Sequence, residues 1–593
     1  MCGIAGQYRF RSAEASLAGL EKVNLRQSAR GPDASGAFAA GAVALGHRRL
    51  KIFDLSERAA QPMVDHELGL ALTFNGAIYN FHQLRGELEA KGYRFFSQSD
   101  TEVLLKAWHA WGKACVGRLS GMFAFAIWER DSGKLVLVRD RMGIKPLYYA
   151  RTKDGFEFAS SLPALLEFDG IDTSIDPVAL HYYLTFHAVP EPLTILAGVR
   201  KVPAGAILTI HPDGASKEEI YWRLRIDEQR ADHRRSADDW VAATRDALTL
   251  ATNRQLAADV PIGVLLSGGL DSSLLVALAA EKRGSDINTF SIGFEGARGE
   301  AGDEFFYSDI VAKRFGTRHF QMFISNQGLE DSLADCVGAM SEPMVSHDNI
   351  GFYLLSREVS KHVKVVLSGQ GADEVFAGYH WFQAHDGGAN SVPQLAGQIL
   401  DRVADRSFAD CQRLVAPDFR TAEHSRTFLE ALCAQNGSAS LVDNMLVYES
   451  TFALANGPLG RVDNMTMASG LEARVPFLDE AVVNLAARMP LDAKLADGGK
   501  AVLKRVGRDL LPTEIVDRPK GYFPVPALKY LHGETLQLLR RVLSPENLRR
   551  RGLFNPAEVQ PMLDNPSDYL TPTGGSKLWQ IGLLEYWLQC HGL

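Results

Sequence analysis

Over roughly the first 210 residues the apolar positions fall in short runs broken by Gly-containing turns, the pattern of strands about four to eight residues long. The clearest are GAFAAGAVALGHRRL (36–50), LALTFNGAIYN (70–80), MFAFAIWER (122–130) and KLVLVRD (134–140). FHQLRGELEAKGY (81–93) and DTEVLLKAWHAWG (100–112) switch to helical spacing, so this half reads as sheets with a few helices, an α+β or layered plan. A charged stretch, RIDEQRADHRRSADDW (225–240), interrupts the pattern, and a linker is expected over 213–238. Beyond it, strand-like VPIGVLLSGG, INTFSIGF and KHVKVVLSGQG alternate with longer helical segments. That alternation predicts βαβ units and a parallel sheet in an α/β domain, with a helix-rich C-terminal part.

Composition narrows the class. A chain of 593 residues exceeds one core, so two domains are expected, 2–212 and 239–593. Hydrophobic content of 46% and charged content of 23% are those of a globular protein. A net charge of −8 provides no basic footprint for nucleic acid. The six cysteines form no C-x-x-C pair, which disfavours a zinc cluster or disulfide scaffold and fits a reducing cytoplasm. No apolar run is long enough to cross a bilayer and the N-terminus lacks a signal-peptide pattern, so no membrane partner is expected.

Two glycine turns carry the chemistry of the second half. In SGGLDSS (267–273), Ser267, Gly268 and Gly269 can turn backbone N–H groups toward an anion at a helix start. No lysine follows, so this is not a Walker-type loop. Asp271 stands there instead, and Asp373 poses the same puzzle just after the turn in SGQGADE (368–374). A carboxylate beside pyrophosphate repels it unless a divalent cation intervenes. Asp271 and Asp373 are therefore expected to hold Mg²⁺ on a nucleotide; an N-capped helix start is the alternative for SGGLDSS alone. Glu374 either supports the site from behind or simply begins a helix.

At the other end, MCGIAGQY places a thiol at position 2. Removal of Met1 would make Cys2 the N-terminal residue, with its own α-amino group, pKa about 8, as a built-in base. A buried structural cysteine is the alternative.

These motifs converge on known families. SGGLDSS resembles the pyrophosphate loop of the ATP pyrophosphatase superfamily; SGQGADEVFAGY (368–379) and RVDNMTMASGLEARVPFLD (461–479) resemble the asparagine synthetase family. That resemblance implies an adenine-nucleotide α-hydrolase-like domain. Its ATP contacts would be Leu266, Ser267, Gly268, Gly269, Asp271, Ser272, Ile292, Ser368, Gly369, Asp373 and, from GGKAVLKRV (498–506), Lys500. ARGPD (29–33), GHRRLKIFDLS (46–56), QPM (61–63), FNGAIYN (74–80) and SDTEVLLKAW (99–108) follow one another as in class II glutamine amidotransferases, N-terminal-nucleophile hydrolases with an αββα sandwich. By that resemblance Cys2 is the nucleophile, Asn75 and Gly76 form the oxyanion hole, Arg49 holds the glutamine carboxylate and Asp100 its ammonium. From local sequence alone, Arg49 also reads as a surface cation and Asp100 as a helix N-cap. The implied reaction uses glutamine, ATP and Mg²⁺: ammonia from glutamine passes internally to an adenylated carboxylate, giving a primary amide, AMP and PPi. The partners are then small molecules, and a homodimer is compatible with the resemblance.

Three departures bear on the acceptor. Gln370 stands where asparagine synthetases usually have Glu, and an amide takes no proton at neutral pH. His347, Asp348 and Asn349 replace the family's usual segment near the acceptor, either as acceptor contacts or as a helix-capping turn. Asn464 replaces an Arg; Ala77 in place of Glu is a milder change. With SEPMVSHDN (341–349), GDEFFYSD (302–309) and YYLTFHAVPEP (182–192), these resemble the N-acetylglutaminylglutamine amide synthetases, which amidate an acetylated dipeptide. An asparagine synthetase acting on aspartate is the alternative; a glutaminase with an inactive synthetase half and a non-enzymatic sensor are the remaining readings.

Overall fold

The computed structural model describes residues 2–10, 14–227, 231–296, 302–383, 391–518, 531–572 and 574–593. Met1 lies outside them, so its removal is not addressed by the structure.

The first half builds two six-stranded antiparallel sheets. One runs β10(Val199–Lys201), β8(Tyr148–Arg151), β9(Gly155–Ala159), β1(Gly3–Arg9), β3(Val43–Arg49), β2(Ala34–Ala40); the other runs β12(Ser216–Ile220), β11(Ala206–Ile210), β7(Leu135–Arg139), β6(Gly121–Glu129), β5(Leu70–Ile78), β4(Met63–Asp65). β1 and β3 pack on β5, so the sheets stack face to face. In β6, Phe123, Phe125 and Ile127 point to the helices Phe81–Ala90 and Asp100–Trp111, while Ala124 and Ala126 point to the other sheet. Small side chains between the sheets and large ones under the helices explain why these strands read as continuous apolar runs: both faces are buried. Helix Leu17–Arg26 covers the outer face of the other sheet through Leu20 and Val23, completing an αββα arrangement.

The expected linker is shorter than 213–238. Residues Ser216–Ile220 form β12, paired antiparallel with β11 from Ala206↔Ile220 to Ile210↔Ser216. Their polar sequence, SKEEI, hid an edge strand that faces solvent. The next helix starts at Ala237 behind a capping box between Ser236 and Asp239.

The second half holds a five-stranded sheet ordered β15(Arg318–Ile324), β14(Asn288–Phe294), β13(Ile262–Leu265), β16(Val365–Leu367), β17(Glu472–Arg474), all pairs parallel. The chain leaves β13 toward β14 and returns to β16 on the other side. The loops after β13 and β16 thus part at the sheet centre, where open α/β sheets bind ligands. Helices Leu270–Arg283 and Asp348–Val359 flank the sheet, and the C-terminal helix Lys577–Cys590 is buried on most of its surface. Among the described residues no helix is long and apolar enough to cross a membrane.

The halves are joined by buried polar contacts. Arg30 pairs with Asp463 at 2.8 Å and Lys145 reaches the same carboxylate at 3.5 Å. Lys201 pairs with Glu342 at 3.0 Å.

Candidate active sites

Cys2 enters β1 at the end of the sandwich and is 7% exposed. Its backbone N–H donates to Asn75 Oδ1 at 2.9 Å, and Arg30 Nε donates to its carbonyl at 3.3 Å. Burial pushes its thiol above the ordinary range, an effect partly offset by nearby positive charge that includes Arg49. Cys2, Arg49, Gly76 and Asp100 line one small pocket together with Gln61, Ser99 and Thr101.

Each of these side chains has an identifiable support. Asn75, on β5, is fully buried, and its Nδ2 has no hydrogen-bond partner. A buried amide donor left unmatched is costly unless a ligand oxygen completes it. Next to it a Cβ on Gly76 would meet the Met122 carbonyl at 2.1 Å, so this close approach of β5 to β6 requires glycine. Arg49 is 5% exposed, which removes the surface-cation alternative. Its guanidinium donates to the backbone carbonyls of Ser56 at 2.9 Å and Asp54 at 2.5 Å. Asp100 is not the N-cap of its helix: Ser99 takes that place, accepting from the Thr101 N–H at 2.9 Å. Asp100 Oδ2 instead accepts from the Ile78 N–H at 3.0 Å, and burial pushes its carboxyl up to about 6.

One wall of this pocket comes from the other domain. Glu472, the first residue of β17, lines it and is 1% exposed. Burial would raise its carboxyl, but surrounding positive charge, including Arg474 at 2.6 Å, holds it down at about 2. Sequence inspection passed over Glu472 because a charged three-residue strand, Glu-Ala-Arg, has no strand signature; its place inside GLEARVPFLD was the available signal.

The second site is a cavity of about 570 Å³ at the C-terminal ends of β13, β14 and β16. Leu266, Ser267, Gly269, Asp271, Ser272, Ile292, Ser368, Gly369, Gln370, Asp373 and Lys500 all line it. Gly268 does not: at φ +74° it packs under Tyr307 and Ser308, and its carbonyl accepts from Arg518 at 3.0 Å. Gly269 is the N-cap of Leu270–Arg283 without a side-chain cap, and its own N–H donates to Ser267 Oγ at 3.3 Å. The Ser272 hydroxyl accepts from Ser267 N–H at 3.2 Å and tightens the loop.

Lys500 Nζ lies 2.6 Å from Asp271 Oδ2 and 2.9 Å from Asp373 Oδ1. Burial alone would lower its pKa; the two carboxylates overcome this and raise it. Lys500 adopts the left-handed conformation, φ +54° and ψ +31°, a strain of about 1–3 kcal/mol that a functional site can retain. Close approach to the acids needs Gly378, where a Cβ would fall 2.1 Å from Asp373 Oδ1 and 2.3 Å from Lys500 Cε. Two carboxylates converging on one cation are a donor set of hard oxygens, which suits Mg²⁺ completed by phosphate and water. Among the described residues no group of three or more His, Cys, Asp and Glu could hold a metal by itself.

Glu374 lines the same cavity, 3% exposed, and accepts from Tyr379 Oη at 2.8 Å. Burial and the adjacent Asp373 push its carboxyl up to about 7. Of His347, Asp348 and Asn349, the cavity wall includes Asp348 alone. His347 occupies the N-cap position of Asp348–Val359 and packs by Trp579. Asn349 turns inward, donating to the carbonyls of Met344 at 2.5 Å and Ser346 at 2.7 Å. Asn464 also points away, accepting from the Ser341 N–H at 2.8 Å. Arg461 also lines the cavity, paired with Asp348 at 2.9 Å, and sequence reading did not single it out.

One chain thus carries an αββα sandwich with a thiol in its pocket and a parallel α/β sheet with a cavity at its strand ends, the layout of a two-site amidotransferase. Residues 1–222 match the glutamine amidotransferase domain model and residues 243–589 match the asparagine synthase model. The chain belongs to the asparagine synthase family. It is 31% identical to asparagine synthetase [glutamine-hydrolyzing] 1 of Bacillus subtilis (strain 168), over 99% of this chain and 96% of that protein. It is 32% identical to asparagine synthetase [glutamine-hydrolyzing] 3 of the same organism, over 100% of this chain and 98% of that protein. Similarity extends to amidase chyE of Penicillium rubens, 25% identical over 92% of this chain and 90% of that protein.

Proposed function

We propose that this protein is a glutamine-dependent carbon–nitrogen ligase that amidates a carboxylate at the cost of ATP. The observation that carries the reading is the pairing of two complete site geometries in one chain: Cys2 beside the unmatched Asn75 amide, and Lys500 between Asp271 and Asp373.

In the first site the Cys2 thiol attacks the side-chain amide of glutamine, and the α-amine freed by loss of Met1 takes the thiol proton. Asn75 Nδ2–H and the Gly76 N–H hold the oxyanion, a contribution of about 3–4 kcal/mol per donor. Arg49 and Asp100 hold the α-carboxylate and α-ammonium. Collapse releases ammonia, and water frees glutamate from the thioester. In the second site the turn around Ser267–Ser272 and Ser368–Gly369 receives the phosphates of ATP, with Ile292 by the base. Asp271 and Asp373 would hold Mg²⁺, which offsets triphosphate charge when bound; Lys500 keeps the two carboxylates together and then faces the departing pyrophosphate. The acceptor carboxylate displaces PPi, and ammonia displaces AMP to leave the amide. A buried route between the sites spares ammonia from protonation in water. Glu472 supports such a route: it lines the Cys2 pocket, while two residues on the Arg474 carbonyl accepts from Ser368 N–H at 2.8 Å, at the nucleotide loop.

For the acceptor we propose N-acetylglutaminylglutamine. Gln370 puts a neutral amide where the family usually carries an acid, and Phe352 and Leu355 line the same cavity with apolar surface. Aspartate is the second reading, supported by the names of the B. subtilis relatives. The two acceptors are to be offered separately with glutamine, ATP and Mg²⁺, and amide products identified by mass. Efficient asparagine formation without dipeptide amide would reject the first acceptor; no PPi with either would reject the ligase itself.

A further inference from the structure

Arg518 ties the first glycine turn to a separate helix. Its Nη1 donates to the Gly268 carbonyl at 3.0 Å and its Nη2 pairs with Glu304. Its guanidinium lies over the Tyr307 ring, with Cζ 4.0 Å from the ring centroid. Glu304 is the N-cap of helix Phe305–Phe315, and Tyr307 belongs to its first turn. Three contacts in different directions therefore fix one guanidinium beside the wall formed by Ser267, Gly269 and Asp271. The bond to Gly268 spans 250 residues of sequence, so no local rule of turn formation requires it.

The peptide that Arg518 holds has little restraint of its own. Gly268 and Gly269 flank it, so no side chain resists rotation of its plane. Gly268 stands at φ +74°, and Gly269 at φ −79° and ψ 164°. Turning the plane over changes ψ of Gly268 and φ of Gly269, and glycine accepts either sign. The groups around it are tied from within the turn. The Ser267 N–H donates to Ser272 Oγ at 3.2 Å, and the Gly269 carbonyl accepts from the Ser273 N–H at 3.0 Å and the Ser272 hydroxyl at 3.2 Å. The Gly269 N–H reaches Ser267 Oγ only at 3.3 Å, a long bond. The firmer hold is on the opposite edge of the same peptide, the charge-assisted bond from Arg518 to the Gly268 carbonyl. Carbonyl and N–H point opposite ways in a planar trans peptide, so holding one aims the other. Turned over, this peptide would aim its carbonyl oxygen toward Ser267 on the cavity wall, where an oxygen lone pair repels phosphate.

We propose that Arg518 is a positioning residue for the phosphate turn, keeping the Gly268 carbonyl turned away from the polyphosphate of bound ATP. Glu304 and Tyr307 aim its guanidinium. This assignment rests on the ATP-dependent reading above and adds to it the group that presets the turn.

The test measures Mg-ATP binding by calorimetry on wild type, Arg518→Gln and Arg518→Lys, beside steady-state PPi release with glutamine and each acceptor. Glutamine hydrolysis without ATP and a thermal midpoint within a few degrees of wild type serve as the folding check; Arg518→Lys keeps a cation beside Glu304 and carries the test if the Gln variant fails it. The expected result is a Kd and a KM for ATP raised about tenfold or more in Arg518→Gln and by less in Arg518→Lys, with kcat at saturating ATP changed far less. Lysine is intermediate because one ammonium lacks the planar fork that meets the Gly268 carbonyl and Glu304 together. A merely structural contact would lower kcat through the folded fraction and leave Kd and KM alone. That outcome, or an unchanged Kd in a folded variant, overturns the assignment while leaving the ligase standing. Wild type that binds Mg-ATP but releases no PPi with either acceptor rejects the ligase reading, and the Kd comparison still decides Arg518. Wild type that binds no Mg-ATP overturns both.

Discussion

Arg30 of the nucleophile sandwich and Asp463 of the synthetase half meet across the domain boundary at 2.8 Å, with Lys145 3.5 Å from the same carboxylate. Asp463 is 2% exposed; burial alone would raise its pKa, but the two cations hold it below the ordinary value of 3.8. Asp463→Ala would strand both cations in the interior at a cost of about 3–5 kcal/mol. A thermal midpoint several degrees below wild type is expected by calorimetry. Because the folded pKa is depressed, the contribution of Asp463 is present at neutral pH and disappears as the pH falls through the acid range below 3.8.

Removing the unmatched donor at the first site should separate the two activities. Asn75→Ala is expected to lower kcat for glutamine hydrolysis about 10²- to 10³-fold, the typical loss for one oxyanion donor. Amide formation from added ammonium salts should persist, since the synthetase cavity is untouched. Glutamate release and PPi release, followed in parallel, check both halves; an unaffected glutaminase rate removes Asn75 from the oxyanion hole.

The pH profile of glutamine use should report Asp100. Its carboxyl is pushed up by burial to about 6, so it gains a proton as the pH falls below that value. Only the ionised form pairs with an α-ammonium. Below pH 6 the kcat/KM for glutamine is therefore expected to fall about tenfold per pH unit more steeply than titration of the α-amine alone dictates, and Asp100→Asn should be weak and lack that extra acid limb. Steady-state kinetics from pH 5 to pH 8 decide the matter.

At the second site, Lys500→Ala leaves Asp271 and Asp373 close together without the ammonium between them. Acceptor-dependent PPi release is expected to drop by about two orders of magnitude or more, while glutamine hydrolysis continues. Asp271→Asn and a chelator should each abolish PPi release. Activity undiminished by the chelator would remove the divalent cation from the mechanism.

Much of this was legible in the chain itself. Strand and helix periodicity located β5, β6, β7 and the flanking helices, because alternation and 3.6-residue spacing are local properties. The glycine turns announced themselves through residues that few other conformations require. The sequence also determined which side chains are available: a thiol at position 2, paired aspartates and an amide at Gln370. What only tertiary structure decided depends on contacts between segments hundreds of residues apart. β12 and β17 are strands because their partners hold them, despite polar sequence; Glu472 lines the Cys2 pocket because β17 stands at the edge of the other domain's sheet. Asp348 and Asn349 are neighbours in sequence, yet one lines the cavity and the other clamps a loop, since the start of a helix turns them apart. Arg461 gained its place in the same way, through a distant segment that fixed one of its nitrogens and left another buried without a partner.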